Sequence, residues 1–368
     1  MPQSSCIEVG AETIGFERLV IATGSKPMIP PIPGADLAGV FAIHKEMDAL
    51  EKLRAALDDA HQIVVIGGGV IGIEFADEIN RRAGRQVTVV EVAPHCLSLA
   101  YDEEFCIRME EHVRRRGVAL RLSTRVQRIL GEGGRVRRIE LSDGAQLDAD
   151  VVILAVGAAA NVDLARAAGL DIGTRTGAIT VDRALRTSAP HIFACGDCAK
   201  KISFFGGAPS ALRLASIATS EARIAGANLY GIRRENIGTI GVWSTAVGDL
   251  AIGTAGLTET MAAQQGYRTV SATVEGPNRH PGGMPGAAPT ATKLVFERQS
   301  GVIIGGQVAG DASAGEVINA LSACIQSRMT ADHMAAFQMG THPALTASPV
   351  AYPIVNAAEM ALSKMRPC

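Results

Sequence analysis

The stretch that decides the fold is IVVIGGGVIGIEFADEINRRAGRQVTVVE, residues 63–91. It opens with a β-branched apolar run at residues 63–66 and continues through a glycine cluster into a segment with apolar residues at helical spacing. A second β-branched run then closes at Glu91. This order predicts a strand, a tight turn, a helix and a second strand, which is the unit typical of dinucleotide-binding sites.

Three glycines and one acid in this unit have separate physical roles. Gly67 permits the tight turn, Gly69 lets the backbone approach a pyrophosphate, and Gly72 lets the helix pack closely against the strand. The helix N-terminus supplies free N–H groups and a partial positive charge for the phosphates. Glu91 ends the second strand, where a carboxylate can accept hydrogen bonds from both ribose hydroxyls. We therefore predict a dinucleotide site, with a structural βα turn as the alternative.

The acid at the end of the second strand also bears on which dinucleotide binds. A carboxylate accepts a hydrogen bond from the free 2′-hydroxyl of NAD and repels the 2′-phosphate of NADP. No arginine or lysine follows Glu91 until well past His95, so the sequence lacks a phosphate clamp there. We expect NAD(H) rather than NADP(H), and a solvated acid at the strand end is the alternative interpretation of Glu91.

Composition and charge indicate a chain of two or three domains with no polyanionic partner. The chain has 368 residues, and its 35 basic residues nearly balance its 37 acidic ones, so nucleic acid is not an expected partner. The sequence has neither an apolar run of membrane-spanning length nor the N-terminal pattern of a signal peptide. The seven cysteines are scattered and odd in number, which argues against a disulfide framework and favours a cytoplasmic location.

The remaining patterns predict mixed α/β structure and then a β-rich final third. The unalternated apolar run at residues 151–154 predicts a buried parallel strand. Ser313 and Glu316 form a capping-box signature at the start of a helix. Further predictions are helices at 45–60, 102–116 and from about 209 to 229, and strands at 5–10, 12–22, 237–252 and 269–274, with 292–297 pairing with 302–308.

Four motifs in order carry a resemblance to a known family. They are Ala22-Thr23-Gly24, residues 67–74, Ala155-Val156-Gly157 and residues 194–198. With these motifs the chain resembles the pyridine nucleotide-disulfide oxidoreductases, flavoproteins with two dinucleotide-binding domains. Its final third, with Gly340-Thr341-His342-Pro343, is similar to the dimerisation domain of the NADH oxidase and coenzyme A-disulfide reductase branch.

The resemblance implies an α/β fold in which a Rossmann-like NAD(P)-binding domain is inserted in a partial FAD-binding domain, followed by an α+β dimerisation domain. FAD and NAD(H) are the implied cofactors, and a homodimer is the implied assembly. The implied domains are residues 1–44 and 159–236 for the FAD-binding domain, 45–158 for the NAD(H)-binding domain and 237–368 for dimerisation.

The same resemblance calls for a flavin-binding βαβ unit ahead of Ala22. About 20 residues precede that motif, whereas such a unit takes about 30 residues. Those residues also lack a Gly-x-Gly-x-x-Gly pattern and a redox cysteine segment. We therefore expect a natural truncation, a fragment, or one half of a split enzyme whose flavin unit is supplied by a separate chain.

On the NADH side, the resemblance implies contacts from Val70 and Ile71 as well as from the glycines. Val70 stands where several relatives have an aromatic gate over the flavin. Glu74 matches a glutamate that lies near the nicotinamide and the flavin, where it normally pairs with a lysine of the N-terminal FAD domain. The alternative for Glu74 is an acid stabilised by the dipole at a helix N-terminus.

On the flavin side, Asp197 matches the aspartate that hydrogen-bonds the ribityl chain. The helix that begins between Pro209 and Ala215 would aim its N–H groups at the flavin pyrimidine, where dipoles stabilise negative charge on a reduced flavin. The implied flavin contacts are Thr23, Gly24, Gly157, Asp197, Leu214 and Ala215.

The remaining candidates are a histidine and a cysteine pair. His342 lies where related enzymes present a His or Tyr to the partner subunit's flavin, and a structural surface or interface histidine is the alternative. Cys195 and Cys198 form a Cys-x-x-Cys, but we expect a structural role because no second Cys/His pair has zinc spacing. No metal site is predicted.

The function predicted from these patterns is transfer of hydride from NADH through a flavin to a thiol, a disulfide or oxygen. A non-catalytic NAD-binding dimeric scaffold is one alternative. An NADH-binding component of a larger electron-transfer complex is the other.

Overall fold

A computed structural model describes residues 5–365 of the chain. Residues 1–4 and 366–368, among them Cys368 and the ends of the first and last predicted domains, lie outside this range. The described residues form a smaller unit of residues 5–28 and 157–240 and a larger unit of residues 29–156 and 241–365. Within residues 5–365, no helix has the length and apolar character needed to cross a bilayer.

Strands and helices alternate from Val40 to Arg121, and the last third of the chain contains an antiparallel sheet. The strands are β1 (Cys6–Val9), β2 (Glu12–Gly15), β3 (Leu19–Ile21), β4 (Ser25–Pro27), β5 (Val40–Ala42), β6 (Gln62–Ile66), β7 (Gln86–Val90), β8 (Ala119–Arg121), β9 (Val126–Glu132), β10 (Arg135–Leu141), β11 (Gln146–Asp148), β12 (Val151–Leu154), β13 (Ala158–Ala160), β14 (Ile192–Ala194), β15 (Lys201–Ile202), β16 (Pro209–Ser210), β17 (Val242–Val247), β18 (Leu250–Gly256), β19 (Thr269–Pro277), β20 (Pro289–Glu297) and β21 (Ile303–Gly310). The helices are α1 (Met47–Asp58), α2 (Val70–Asn80), α3 (Glu103–Arg115), α4 (Asp163–Ala167), α5 (Ala215–Asn228), α6 (Glu259–Gln264), α7 (Ala314–Gln326), α8 (Ala331–Ala335) and α9 (Pro353–Met365).

A five-stranded parallel sheet in the order β5-β12-β6-β7-β8 organises the first part of the larger unit. Val65 and Ile153 belong to one buried apolar cluster, whereas Val64 and Val152 belong to another. Because successive side chains of a strand point to opposite faces, both faces of this sheet are covered. This explains why the run at Val151–Leu154 does not alternate, and it confirms the predicted buried parallel strand.

The second part of the larger unit is a five-stranded antiparallel sheet in the order β17-β18-β21-β20-β19. Its side chains share a core with the parallel sheet, because Val247, Ile252 and Ala309 belong to the same buried cluster as Val65 and Ile153. The nucleotide-binding fold and the antiparallel sheet therefore pack as one body.

In the smaller unit, β3 pairs with β14 in parallel and β4 pairs with β13 in antiparallel fashion. Ile21 and Ala194 are opposite each other in the first pair, and both are buried in one cluster. A 3₁₀ turn at Gly196–Cys198 follows β14 directly. Helix α5 comes later and contacts this turn.

Four predicted elements differ from the structure. The strand predicted at 12–22 is two strands, because β2 pairs with β1 whereas β3 pairs with β14. The strand predicted at 237–252 is a hairpin, because the chain reverses at Gly248, whose φ is +57°. The helix predicted from about residue 209 begins at Ala215, since Pro209–Ser210 pairs with β15 instead. The prediction of a capping box at Ser313 was wrong. Ser313 has helical φ and ψ, and its hydroxyl donates to the Asp311 carboxylate instead of accepting from a backbone N–H of the helix.

Candidate functional site

The glycine turn between β6 and α2 is built so that two of its glycines admit no side chain. Gly67 has a φ of +108°, and a Cβ atom there would lie 2.5 Å from the carbonyl oxygen of Ala155. A Cβ atom on Gly72 would lie 1.9 Å from the carbonyl oxygen of Gly67. By contrast, a Cβ on Gly69 would have nothing within 4 Å. The turn thus presents an open face at Gly69, and this face fits a pyrophosphate at the helix N-terminus.

Glu91 lies against this turn and is already hydrogen-bonded to the backbone. One carboxylate oxygen accepts from the Gly68 amide at 2.6 Å and the other from the Ala93 amide at 2.8 Å. A carboxylate has about four acceptor positions, so Glu91 retains acceptor positions for ribose hydroxyls. Gly68 is confined as well, since a Cβ atom there would lie 2.5 Å from the sulfur of Cys96. The acid and the glycine turn therefore lie together in the structure, and their role as a dinucleotide site stays a prediction.

The first turn of α2 carries the other NADH-side candidates. Gly69 caps the helix with no side-chain hydrogen bond, Val70 is its half-buried first residue, and Ile71 is 52% exposed. Glu74 accepts a hydrogen bond at 2.7 Å from the hydroxyl of Thr245 on β17. A neutral hydroxyl of the antiparallel sheet therefore holds this carboxylate.

Thr23, Gly24 and Gly157 are placed in tight turns of the smaller unit. The Thr23 hydroxyl donates to the backbone carbonyl of Asn161 at 2.6 Å, and the backbone N–H of Asn161 donates to the carbonyl of Gly24 at 2.9 Å. Gly24 and Gly157 have φ values of +70° and +98°, in the left-handed region that favours glycine. The carbonyl of Gly157 accepts from the backbone of Met28 at 3.0 Å. These contacts account for the turns, and the cofactor role of the three residues stays a prediction.

A cavity of about 390 Å³ in the smaller unit is lined by Asp197. The Ser25 hydroxyl donates to the Asp197 carboxylate at 2.8 Å. Helix α5 starts just beyond the cavity, with Leu214 as its N-cap and Ala215 as its first residue, and no side chain caps it. The other polar and charged lining residues are Arg175, Thr176, Lys201, Ser210 and Arg213. This mixture of a carboxylate, hydroxyls and cations fits the polyol and phosphate groups of a flavin nucleotide.

His342 and the cysteines have local roles in the structure. The Nδ1 atom of exposed His342 accepts from the Ala344 amide at 3.2 Å, and its backbone amide donates to Thr346 at 3.1 Å. His342 thus stabilises a turn, and its catalytic role stays a prediction. Cys195 and Cys198 are buried free thiols, and Cys198 donates to the carbonyl of Cys195 at 3.2 Å.

Two buried ionic clusters are present that no sequence pattern predicted. Lys201 pairs with Glu221 at 2.8 Å directly behind the turn that carries Asp197. In the larger unit, the ammonium of Lys293 contacts three carboxylates, which belong to Asp102, Glu104 and Glu259. Those three acids are spaced closely enough to hold a metal ion, but the lysine ammonium already lies among them. No sequence pattern marks either lysine, because each partner is distant along the chain.

Comparison with known proteins agrees with this arrangement. Residues 3–222 match the family described as pyridine nucleotide-disulphide oxidoreductase, and residues 242–351 match the dimerisation domain of that family. The chain belongs to the pyridine nucleotide-disulphide oxidoreductase family. The predicted family and fold class are confirmed, and the chain is assigned to oxidoreductases that use FAD and NAD(H).

Individual members of the pyridine nucleotide-disulphide oxidoreductase family match nearly the whole chain. It is 32% identical over 356 residues to an NADH oxidase of Methanocaldococcus jannaschii, covering 96% of this chain and 77% of that protein. A water-forming NADH oxidase from Lactobacillus brevis, solved with NADH bound, matches with a TM-score of 0.88 and 30% identity over 96% of this chain and 77% of that one. An NAD-dependent persulfide reductase from A. fulgidus matches with a TM-score of 0.89 and 32% identity over 96% of this chain, and the chain spans 64% of its length.

Proposed function

We propose that this chain binds NADH at the Gly67–Gly72 turn and passes its hydride, through FAD, to a disulfide, a persulfide or oxygen. The observation that carries the NADH part is the geometry of Glu91, whose carboxylate is fixed on the turn by the Gly68 amide. The acceptors are supported by the names of the relatives, which include a persulfide reductase and a water-forming NADH oxidase.

Each proposed role follows from the chemistry of the group. Gly69 leaves room for the pyrophosphate, and Glu91 accepts from the ribose of NADH. Asp197 accepts from hydroxyls of a polyol, and the uncapped N-terminus of α5 at Ala215 stabilises negative charge. A bound flavin supplies the hydride acceptor. Glu74 and His342 are proposed to assist near the reacting groups, as the family resemblance implies.

The proposed assembly is a homodimer formed through the dimerisation domain, which the family match at residues 242–351 supports. Residues 5–44 form only the short strands β1–β5. We propose that the flavin-type βαβ unit comes from a segment outside these 368 residues, on a separate chain or on a longer form of this one. A cytoplasmic location is proposed from the free thiols of the described cysteines.

Titration of the purified protein with NADH tests the dinucleotide site. Glu91→Ala is expected to weaken NADH binding about tenfold or more, because a hydrogen bond to a charged group contributes about 1.5–3 kcal/mol. Glu51→Ala, which removes an exposed acid from α1 in the same unit, serves as the control and should bind as the wild type does. Unchanged affinity in Glu91→Ala would refute the assignment of Glu91.

The absorption spectrum of the purified protein tests the flavin part of the proposal. When the chain is purified together with the segment that supplies the βαβ unit, we expect a yellow flavin spectrum that NADH bleaches without oxygen. Such a protein that binds NADH but takes up no flavin on addition of FAD would instead favour a non-catalytic NAD-binding dimer.

A further inference from the structure

The turn that presents Asp197 is held at both of its backbone polar groups by buried charged side chains. The amide of Gly196 donates to the Glu221 carboxylate at 2.9 Å, and the carbonyl of Gly196 accepts from the Lys201 ammonium. Lys201 also donates to the carbonyl of Ala199 at 2.9 Å, on the other side of Asp197. The backbone on each side of Asp197 is therefore fixed by one ion pair.

This ion pair is almost completely removed from water. Lys201 is 4% exposed and Glu221 is 2% exposed, and their charged atoms lie 2.8 Å apart. The second carboxylate oxygen of Glu221 is buried and has no hydrogen-bond partner among residues 5–365. Desolvation makes such a pair no more stabilising than apolar residues of similar volume. Stability alone therefore does not account for the pair, whereas a fixed orientation of the turn does.

We propose that Lys201 and Glu221 are positioning residues for Asp197, which together aim its carboxylate into the cavity of about 390 Å³. The proposal rests on the flavin role given to Asp197 above. It requires that loss of the pair frees the turn, so that Asp197 samples other orientations and binds a polyol more weakly even where the fold is intact.

The informative variant is the double change Lys201→Met/Glu221→Leu, because it removes both charges while keeping the buried volume. Either single change would leave an uncompensated buried charge and could unfold the smaller unit. We expect the double variant to fold, to unfold at a lower temperature than the wild type because the Gly196 amide loses its acceptor, and to bind added FAD about tenfold more weakly where it is fully folded. Arg223→Met, on an exposed position of α5, is the matched control.

Hydrogen exchange of the segment 195–199 gives a readout that needs no flavin. The Gly196 amide loses its carboxylate acceptor in the double variant, so its exchange is expected to accelerate about tenfold while exchange in β14 is unchanged. The control variant should leave both segments unchanged.

The outcomes separate this inference from the proposed function. Accelerated exchange at 195–199 with weakened FAD binding, measured where the double variant is fully folded, supports the positioning role. Wild-type exchange and wild-type FAD affinity in the double variant would overturn it, as would affinity that changes only in proportion to the unfolded fraction. If the wild type, assayed together with the segment that supplies its βαβ unit, takes up no FAD, the flavin proposal fails, and exchange alone decides whether the pair fixes the turn.

Discussion

Replacing Lys293 with methionine is expected to destabilise the larger unit by about 3 kcal/mol, because the change leaves a buried carboxylate without its countercharge. Lys293 lies on β20 and is 3% exposed, and its ammonium is 2.9 Å from Asp102 and 2.6 Å from each of Glu104 and Glu259. The cluster thus ties α3 of the nucleotide-binding fold to β20 and α6 of the antiparallel sheet.

The magnitude follows from what each acid retains when the lysine is lost. Removing one partner of a buried pair costs about 3–5 kcal/mol. The side chains of Glu104 and Glu259 are 50% and 39% exposed, so water can solvate them. Among residues 5–365, Asp102, at 5% exposure, keeps only its hydrogen bonds from Gln307 and from the Glu259 amide. The loss therefore falls at the lower end of the range.

Urea denaturation followed by tryptophan fluorescence measures this loss directly. The only tryptophan of the chain is Trp243, which is partly buried against the core of the larger unit. Lys52→Met removes an exposed lysine from α1 of the same unit and should change the free energy of unfolding by less than about 0.5 kcal/mol. In the double variant Lys293→Met/Asp102→Asn, part of the stability should return, because the buried charge is gone.

The pH dependence gives an independent check on the sign. Burial acts to lower the pKa of the Lys293 ammonium, but its hydrogen bonds to Glu104, Glu259 and Asp102 outweigh burial and raise the pKa above its ordinary value. A raised pKa in the folded state means that the stabilisation is fully present below the unfolded-state pKa of about 10.4 and is lost as the pH rises through the folded-state value. A difference under about 1 kcal/mol between Lys293→Met and wild type at pH 7 would refute the reasoning, since removing one partner of a buried pair costs several times that.

Three further predictions concern the turn, one strand end and the helix caps. Gly72→Ala should lower both the thermal unfolding temperature and the affinity for NADH, because its Cβ would clash with the carbonyl of Gly67. Gly69→Ala should unfold at the wild-type temperature and lose only NADH affinity. Thermal scans and NADH titrations separate the two variants. Asp150→Asn should cost about 1 kcal/mol at pH 7. This difference should begin to decline as the pH falls through the unfolded-state pKa of about 3.9 and vanish only below the lower folded-state pKa. Burial acts to raise the pKa of the Asp150 carboxyl, but hydrogen bonds from two backbone amides lower it overall. The carboxylate therefore stabilises the folded state above the unfolded-state pKa, and this contribution is lost as the pH falls through the folded-state pKa. Urea titrations at pH 7 and pH 2.5 measure the change. Thr258→Ala should cost about 1 kcal/mol in urea titrations and Ser313→Ala much less, because Thr258 caps α6 and Ser313 caps no helix.

Local patterns predicted the nucleotide-binding part well because each pattern acts over a few residues. The predicted strand at 63–66 is Gln62–Ile66, and the second predicted strand ends at Val90, one residue before Glu91. Predictions were wrong where a longer contact decided the outcome. Pro209–Ser210 could have begun a helix, but it pairs with Lys201–Ile202 as a strand instead.

The candidate site divides in the same way. The sequence identified the glycine turn and the acid because both are needed within one strand–turn–helix–strand unit. It gave no signal for the partner of Glu74, which is Thr245, 171 residues away along the chain. No sequence pattern indicated the pair of Lys201 and Glu221 behind Asp197 either. A lysine and a glutamate 20 residues apart are ordinarily surface residues, and only the tertiary structure buries these two.

The sequence by itself therefore determined the strand, glycine turn, helix and second strand of the candidate dinucleotide site, which runs from Ile63 to Glu91, since backbone sterics and strand periodicity act locally. Only the tertiary structure decided what surrounds that site and the Asp197 turn. Packing of separate elements places Lys201 next to Glu221 and Lys293 next to Asp102. A charged side chain that is removed from water must be paired with an opposite charge. The packing of the fold decides which residue is that partner, so no local sequence pattern predicts it.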